Sequence, residues 1–249
     1  MPPEIIVPSK NQIRKAGKFL RDLDQEPDLS ALDGTKVDEA LEIVQLFRAA
    51  HAYPMLKVRI GLEGFVRTTK VNGGTTQRHK RVARIVRKLR RTRDGPGGGT
   101  ALDRLEDIGG CRTVVATPQE LSKLAAHIRR RWSGQFVRSP RDYVAMPKDM
   151  GYRAIHFVVE RDKRAIEIQL RTRGQQQWAD AVEAADARWA TVDGINLKDE
   201  VAPEELKNFF RTAGEMIYRR EFGIALDDAF HAEFDEARRQ VIAAGFYTG

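Results

Sequence analysis

Cysteine is almost absent: Cys111 is the single one in 249 residues. That excludes an internal disulfide framework and a zinc site built from several thiolates. No apolar run approaches the roughly 18 residues that a membrane-spanning helix needs, so no membrane partner is expected. The N-terminal stretch MPPEIIVPSKNQIRKAGKF has no apolar signal core, and a cytoplasmic location is the default expectation. The glycine-rich stretch DGPGGGT (94–100) lacks the Lys-Ser/Thr ending of a Walker loop and reads as a flexible connector. No internal repeat is visible. The 41% hydrophobic and 31% charged composition belongs to a folded globular chain of one large or two small domains.

Acid is missing from one segment in particular. Residues 78–93, RHKRVARIVRKLRRTR, hold nine Lys/Arg and no Asp or Glu. The whole chain has 43 basic against 35 acidic residues, so without this segment 34 face 35 and the remainder is nearly neutral. Val82, Ile85, Val86 and Leu89 recur at helical spacing, with Lys80, Arg84, Arg87 and Arg91 opposite. The segment therefore reads as an amphipathic helix presenting a cationic ridge. Solvated helices usually mix both signs, so a ridge of one sign points to a polyanion, phosphate above all.

Elsewhere the pattern is mixed. Ser9 with Gln12 is a capping box opening a helix, along which Lys10, Arg14, Lys18 and Arg21 form a second basic stripe. Residues 24–35 read as a loop and 37–50 as a second helix, which HAYP (51–54) ends because the residue before proline leaves the helical region. Residues 55–71 are ambiguous, and GGTT (73–76) reads as a break. CRTVVA (111–116) is a short strand. Thr117-Pro118 with Glu120 starts a helix burying Leu121, Leu124, Ala125, Ile128 and Trp132. Phe136-Val137 reads as a brief strand. RAIHFVVE (153–160) and RAIEIQLRT (164–172) read as a hairpin. Three helical patterns follow, on Trp178, Ala181, Val182, Ala185 and Trp189, then on Leu206–Ile217, then near 226–244.

Parity makes the hairpin informative. Ile155, Phe157, Val159, Ile166, Ile168 and Leu170 share one face, and His156, Glu167, Gln169 and Arg171 share the other. That second face is either the wet side of an antiparallel sheet or a site. Asp107 lies beside Gly109-Gly110, where backbone can approach a ligand closely. Asp107 and Glu167 supply oxygen ligands of the kind Mg²⁺ takes together with nucleotide phosphates. The stretch RDYVAMPKDMGYRAIH places two tyrosines, a lysine and a histidine where a base and its phosphates can be held.

RHKRVARIVRKL, LEDIGGCRTVV, DYVAMPKDMGYRAIH, IEIQLRT and QQQWADAVE occur in that order, and over residues 75–190 they strongly resemble the RelA/SpoT-type synthetase domain. The resemblance implies an α+β fold, a mixed β-sheet flanked by helices and related to nucleotidyltransferases. It also implies transfer of pyrophosphate from ATP, with Mg²⁺, to a ribose 3′-hydroxyl. By position it gives Arg78, Lys80, Arg84, Arg87 and Arg112 to the ATP phosphates, and Lys148 and His156 to phosphate contacts. Tyr152 falls to the acceptor base, Asp107 to the metal, and Glu167 to the metal and to activation of the hydroxyl. Serine is common in the family where Arg84 stands, and asparagine near Met150. None of the five histidines (51, 79, 127, 156, 231) is followed by Asp, so no HD hydrolase motif is present. The expectation is one synthetase-only domain over 1–249, with N-terminal helices in 1–54, a catalytic core in 55–190 and C-terminal helices in 200–249.

Two acceptors are open, and the motif resemblance favours the first. HAYP, DIGGCR, GYRAIH and QWA resemble the toxic branch, which modifies the 3′-CCA end of tRNA and is paired with a separate antitoxin. The basic stripe Lys10, Arg14, Lys18 and Arg21 suits an RNA backbone. The alternative is GDP or GTP, giving ppGpp or pppGpp. An inactive relative that only binds nucleotide or RNA is the contrasting class.

Overall fold

The computed structural model describes residues 7–25, 33–93, 99–192, 197 and 202–247. The expected loop 24–35 and connector 94–100 lie largely outside them. At the centre is a sheet of β1 (Gly73–His79), β2 (Gly109–Val115), β3 (Arg141–Asp142), β4 (Ile155–Arg161) and β5 (Arg164–Thr172), in the order β1-β2-β5-β4-β3. β2 and β5 run parallel and every other pair is antiparallel, so the sheet is mixed and the α+β expectation holds.

The predicted hairpin forms between β4 and β5, turning through Asp162 and Lys163 at φ 48° and 60°. Its apolar face is the main core. Ile155, Phe157, Val159, Ile166, Ile168 and Leu170 pack against Met55, Val58 and Leu62 of α3 (Ala52–Thr69) and Leu121, Leu124, Ala125 and Ile128 of α5 (Pro118–Arg131). A second cluster joins α1 (Lys10–Asp22), α2 (Gly34–Ala49) and α4 (Val82–Arg91) around Leu102 and Ile108. A third joins α6 (Arg173–Val192), α7 (Glu204–Phe222) and α8 (Asp228–Ala243) with Met150. Both capping boxes form, on Ser9 and on Thr117. No described helix is long and apolar enough to cross a membrane.

Several expectations are corrected. α2 ends before HAYP as expected, at Ala49, but HAYP also opens α3: Pro54 sits in the first turn, where its missing N–H has no intrahelical partner to lose. The ambiguous stretch 55–71 is most of α3, and Gly61 is required there because a Cβ would meet the Trp132 ring at 2.7 Å. GGTT is not a break but the start of β1, which pairs with β2 along all its residues from Gly73 to His79. The basic segment is therefore not one helix. Arg78 belongs to β1, Lys80 to the link, and the helix begins at Val82. Phe136-Val137 makes only an isolated bridge to β4. Ala181, expected in a buried stripe, is exposed on α6.

Candidate active site

The register of the sheet sets the residues of the second face in rows. One row runs Arg78, Gly110, Glu167, Val158, and the next Thr76, Arg112, Gln169, His156, Arg141. Gly110 leaves a gap beside Glu167; a Cβ on it would lie 3.4 Å from the Glu167 carbonyl oxygen. This face is not a wet side. His156, Val158 and Arg171 are buried on it, and α6 packs along it through Arg78–Glu183 (3.5 Å) and Arg171–Gln176 (3.0 Å).

Asp107 precedes β2, and two lysines converge on its Oδ2, Lys80 at 2.6 Å and Lys88 at 2.7 Å. Burial would raise its pKa, but the two ammonium groups outweigh that and hold the carboxyl below its ordinary value. Its Oδ1 is buried without a hydrogen-bond partner. Lys88 was not singled out from the sequence. It lies on α4 eight residues beyond Lys80, and only the β1–α4 bend brings the two together.

Glu167 is held at both oxygens. The His156 Nδ1 lies 3.0 Å from Oε1, and the Gln169 amide nitrogen donates to Oε2 at 2.8 Å. Burial raises its pKa and the nearby Asp107 charge adds to that, yet the His156 and Gln169 contacts leave the carboxyl below the usual value. The His156 Nε2 lies 2.6 Å from the Tyr152 hydroxyl, which also receives the Arg171 Nη2 at 2.9 Å. Burial pushes the Tyr152 phenol up, against the opposing Arg171 charge. Gln169 and Arg171 were placed on this face by parity without a role.

The other expected residues sit as follows. Arg112 is half-buried on β2 with its Nε unpartnered; burial and then Arg171 and Arg78 push its pKa down. Arg78 is exposed on β1 against Glu183. Arg84 and Arg87 are exposed on α4, and Arg84 reaches the buried Asp186 of α6 at 3.5 Å. The acid missing from 78–93 is thus supplied by Asp107, Glu183 and Asp186 from elsewhere in the fold. Lys148 is exposed, its Nζ 4.3 Å from the centre of the Tyr143 ring and 6.0 Å from that of Tyr152. Met150 and Gly151, at φ 61° and 81°, bend the chain into Tyr152.

The basic stripe of α1 finds its acids outside this cluster. Arg14 Nε donates to both Asp103 oxygens at 3.0 Å, Lys10 lies 3.8 Å from Asp103, and Arg21 pairs with Asp22 at 2.7 Å. Arg14, Lys18, Arg21 and Arg104 line a cleft of about 380 Å³.

The fold is that of the small alarmone synthetases. Small alarmone synthetase 1 from Bacillus subtilis, solved bound to its product pppGpp, matches with a TM-score of 0.56 at 22% identity, covering 79% of this chain and 97% of its own. Small alarmone synthetase 2 from Bacillus subtilis matches with a TM-score of 0.53 at 19% identity, covering 71% of this chain and 95% of its own.

Residues 77–194 match the family described as "Region found in RelA / SpoT proteins". The GTP pyrophosphokinase rsh of Brucella melitensis biotype 1 is 26% identical over 152 residues, 59% of this chain and 19% of the relative. The probable chloroplastic GTP diphosphokinase RSH3 of Arabidopsis thaliana is 28% identical over 117 residues, 47% of this chain and 15% of the relative. The chain spans less than a fifth of the length of these curated relatives.

Proposed function

We propose that this chain is an ATP-dependent pyrophosphokinase that moves the β,γ-diphosphate of ATP onto a ribose 3′-hydroxyl. The observation that carries the reading is the pair of partly buried carboxylates, Glu167 on β5 and Asp107 just before β2, ringed by Lys80, Lys88, Arg78 and Arg112. Glu167 takes the proton as the O3′–H bond breaks and O3′ bonds to the β-phosphorus, while the bond from that phosphorus to the α-phosphate oxygen breaks and AMP leaves. Arg78, Lys80, Arg84, Arg87 and Arg112 hold the phosphates, whose charge must be matched in the transition state. Lys148 and the Tyr152 face hold the acceptor. His156, expected at a phosphate, has both ring nitrogens engaged by Glu167 and Tyr152 and acts through them.

Asp107 and Glu167 fit Mg²⁺. The unpartnered Asp107 Oδ1 is a free hard-oxygen donor, and two carboxylates leave room for water and phosphate oxygens. No group of three or more His, Cys, Asp or Glu that would cage a metal occurs among the described residues. When bound, the ion neutralises phosphate charge and polarises the reacting oxygens.

We read the acceptor as GDP or GTP, making ppGpp or pppGpp. Supporting this are the names of the curated relatives, the product held by small alarmone synthetase 1, and the internal pairing of Lys10, Arg14 and Arg21. The α1 cleft favours a second reading, transfer to the 3′-CCA end of tRNA by a toxin with a separate antitoxin. On either reading we take the sheet and its helices as one synthetase unit. The test is incubation with γ-³²P-ATP, Mg²⁺ and GDP, GTP or deacylated tRNA, with the products resolved. Label on guanosine nucleotides is expected. Label on tRNA alone shifts the conclusion to the second reading, and label on none leaves a nucleotide- or RNA-binding relative. Glu167→Gln is expected to abolish transfer with the melting temperature kept.

A further inference from the structure

Arg171 is buried, 4% exposed, and no described carboxylate lies within ion-pair distance of its guanidinium. A buried charge without a direct partner is costly, so its hydrogen bonds must be doing something else. They lead to one place. Nη2 donates to the Tyr152 hydroxyl at 2.9 Å and to the Gln169 side-chain amide oxygen Oε1 at 3.1 Å. Tyr152 continues at 2.6 Å to His156 Nε2, and His156 Nδ1 at 3.0 Å to Glu167 Oε1. Gln169 continues at 2.8 Å to Glu167 Oε2. Two arms leave one nitrogen and close on the two oxygens of one carboxylate.

The chemistry of the ends fixes the direction of both arms. A guanidinium only donates, and an ionised carboxylate only accepts. The Tyr152 oxygen therefore accepts from Arg171, and its own O–H is left to donate to His156 Nε2. The histidine proton must then sit on Nδ1 and point at Glu167. Likewise Gln169 Oε1 accepts from Arg171, and the Gln169 NH₂ points at Glu167. Every donor in the ring is aimed at the carboxylate.

Resting on the pyrophosphokinase reading, we propose that Arg171, Tyr152, His156 and Gln169 form a directional hydrogen-bond ring that locks the orientation of the catalytic Glu167, so that docking of the acceptor base on Tyr152 and aiming of the base at the 3′-hydroxyl are one event. Arg171 is then a positioning residue, anchored on α6 by its other nitrogen, Nη1, to Gln176 Oε1 at 3.0 Å and from there to Asp180 at 2.6 Å. Glu167 is faced by other charged groups that the ring must hold it among: Asp107 with Lys80 and Lys88, Arg78 across Gly110, and Arg112. A lysine at 171 cannot serve, because its single ammonium cannot feed both arms and also hold Gln176, which the guanidinium reaches with its second nitrogen.

Two measurements test the ring on the whole chain. Steady-state transfer is compared for Tyr152→Phe, which keeps the aromatic face, for Arg171→Lys and for Arg171→Met. The expected result is a fall in kcat of roughly 10- to 100-fold, with the acceptor and ATP KM values within about twofold of wild type. Nitrogen-15 spectra of the histidine side chains, with His156 assigned through His156→Gln, should show the wild-type proton on Nδ1 and loss of that fixed tautomer in Tyr152→Phe. A kcat that stays put, or a proton on Nε2 in the wild type, overturns the proposal. So does a loss in which kcat and both KM values change together with the melting temperature. Absence of any transfer by the wild type would instead remove the pyrophosphokinase reading, and the nitrogen-15 result would still decide the ring.

Discussion

His51, at the junction of α2 and α3, is 1% exposed and its Nδ1 lies 2.9 Å from the Phe47 carbonyl oxygen. Burial pushes its pKa down to about 4; the Phe47 contact opposes this, while Arg164 and His79 add to it. The folded state therefore keeps the ring neutral where the unfolded chain, near 6.5, already binds a proton. Stability from this residue is complete above about pH 6.5 and is lost as the pH falls toward 4, by roughly 3 kcal/mol in all. Urea midpoints at about pH 7 and pH 4.5 should differ by less in His51→Leu than in wild type; an equal difference would clear His51 of the effect. At this scale the sequence is a good guide where one rule suffices. Strand parity alone brought His156, Glu167, Gln169 and Arg171 to one face. It is a poor guide where two elements must meet: Lys88 reaches Asp107 only through the bend after β1, and no spacing in the chain reports that.

Tyr152 is positioned by helices that follow it in the chain. Gly214 of α7 lies against the 149–152 segment: a Cβ on it would come to 2.9 Å from the Gly151 carbonyl oxygen and 3.0 Å from Trp178 Nε1. Arg153 ties the same segment down, donating to the Val144 carbonyl oxygen and, at 2.6 Å, to Glu215 of α7. Gly214→Ala is expected to cost about 1–3 kcal/mol through overpacking and to raise the acceptor KM while leaving the ATP KM in place. Thermal melts and initial rates check both parts; an unchanged acceptor KM would detach α7 from acceptor binding. The elements with local signatures were legible: the two capping boxes, the hairpin and the last two helices. α3 and β1 were not. The stretch 55–71 is ambiguous and GGTT reads as a break, whereas Gly61 admits Trp132 and Gly73 admits the Val114 carbonyl oxygen, both long-range neighbours.

Across the molecule, the surplus of charge is the best sequence clue and the one the fold most modifies. The formal charge of +8 is concentrated in 78–93, but Lys80, Lys88, Arg78 and Arg84 each find an acid from a distant element. Lys10, Arg14 and Arg21 of the α1 stripe also face acids, so most of that stripe has a partner before any long polyanion arrives. Transfer onto a guanosine nucleotide should therefore lose little between about 50 and 200 mM KCl. An acceptor held by 6–10 phosphate contacts would lose about 10³–10⁵ in affinity over that range. A drop of that size in the acceptor titration would favour the RNA reading.

Cys111 has a consequence for how this chain can be studied. It sits in β2, between β1 and β5, 2% exposed, with its thiol pushed by burial up to about 12. A thiol in that state does not react with alkylating reagents until the central strand is uncovered. With no second cysteine to confuse the count, each labelled molecule records one opening of the sheet beside Asp107 and Glu167. The labelling rate, followed with and without nucleotide, reads directly how far a bound nucleotide holds the sheet shut.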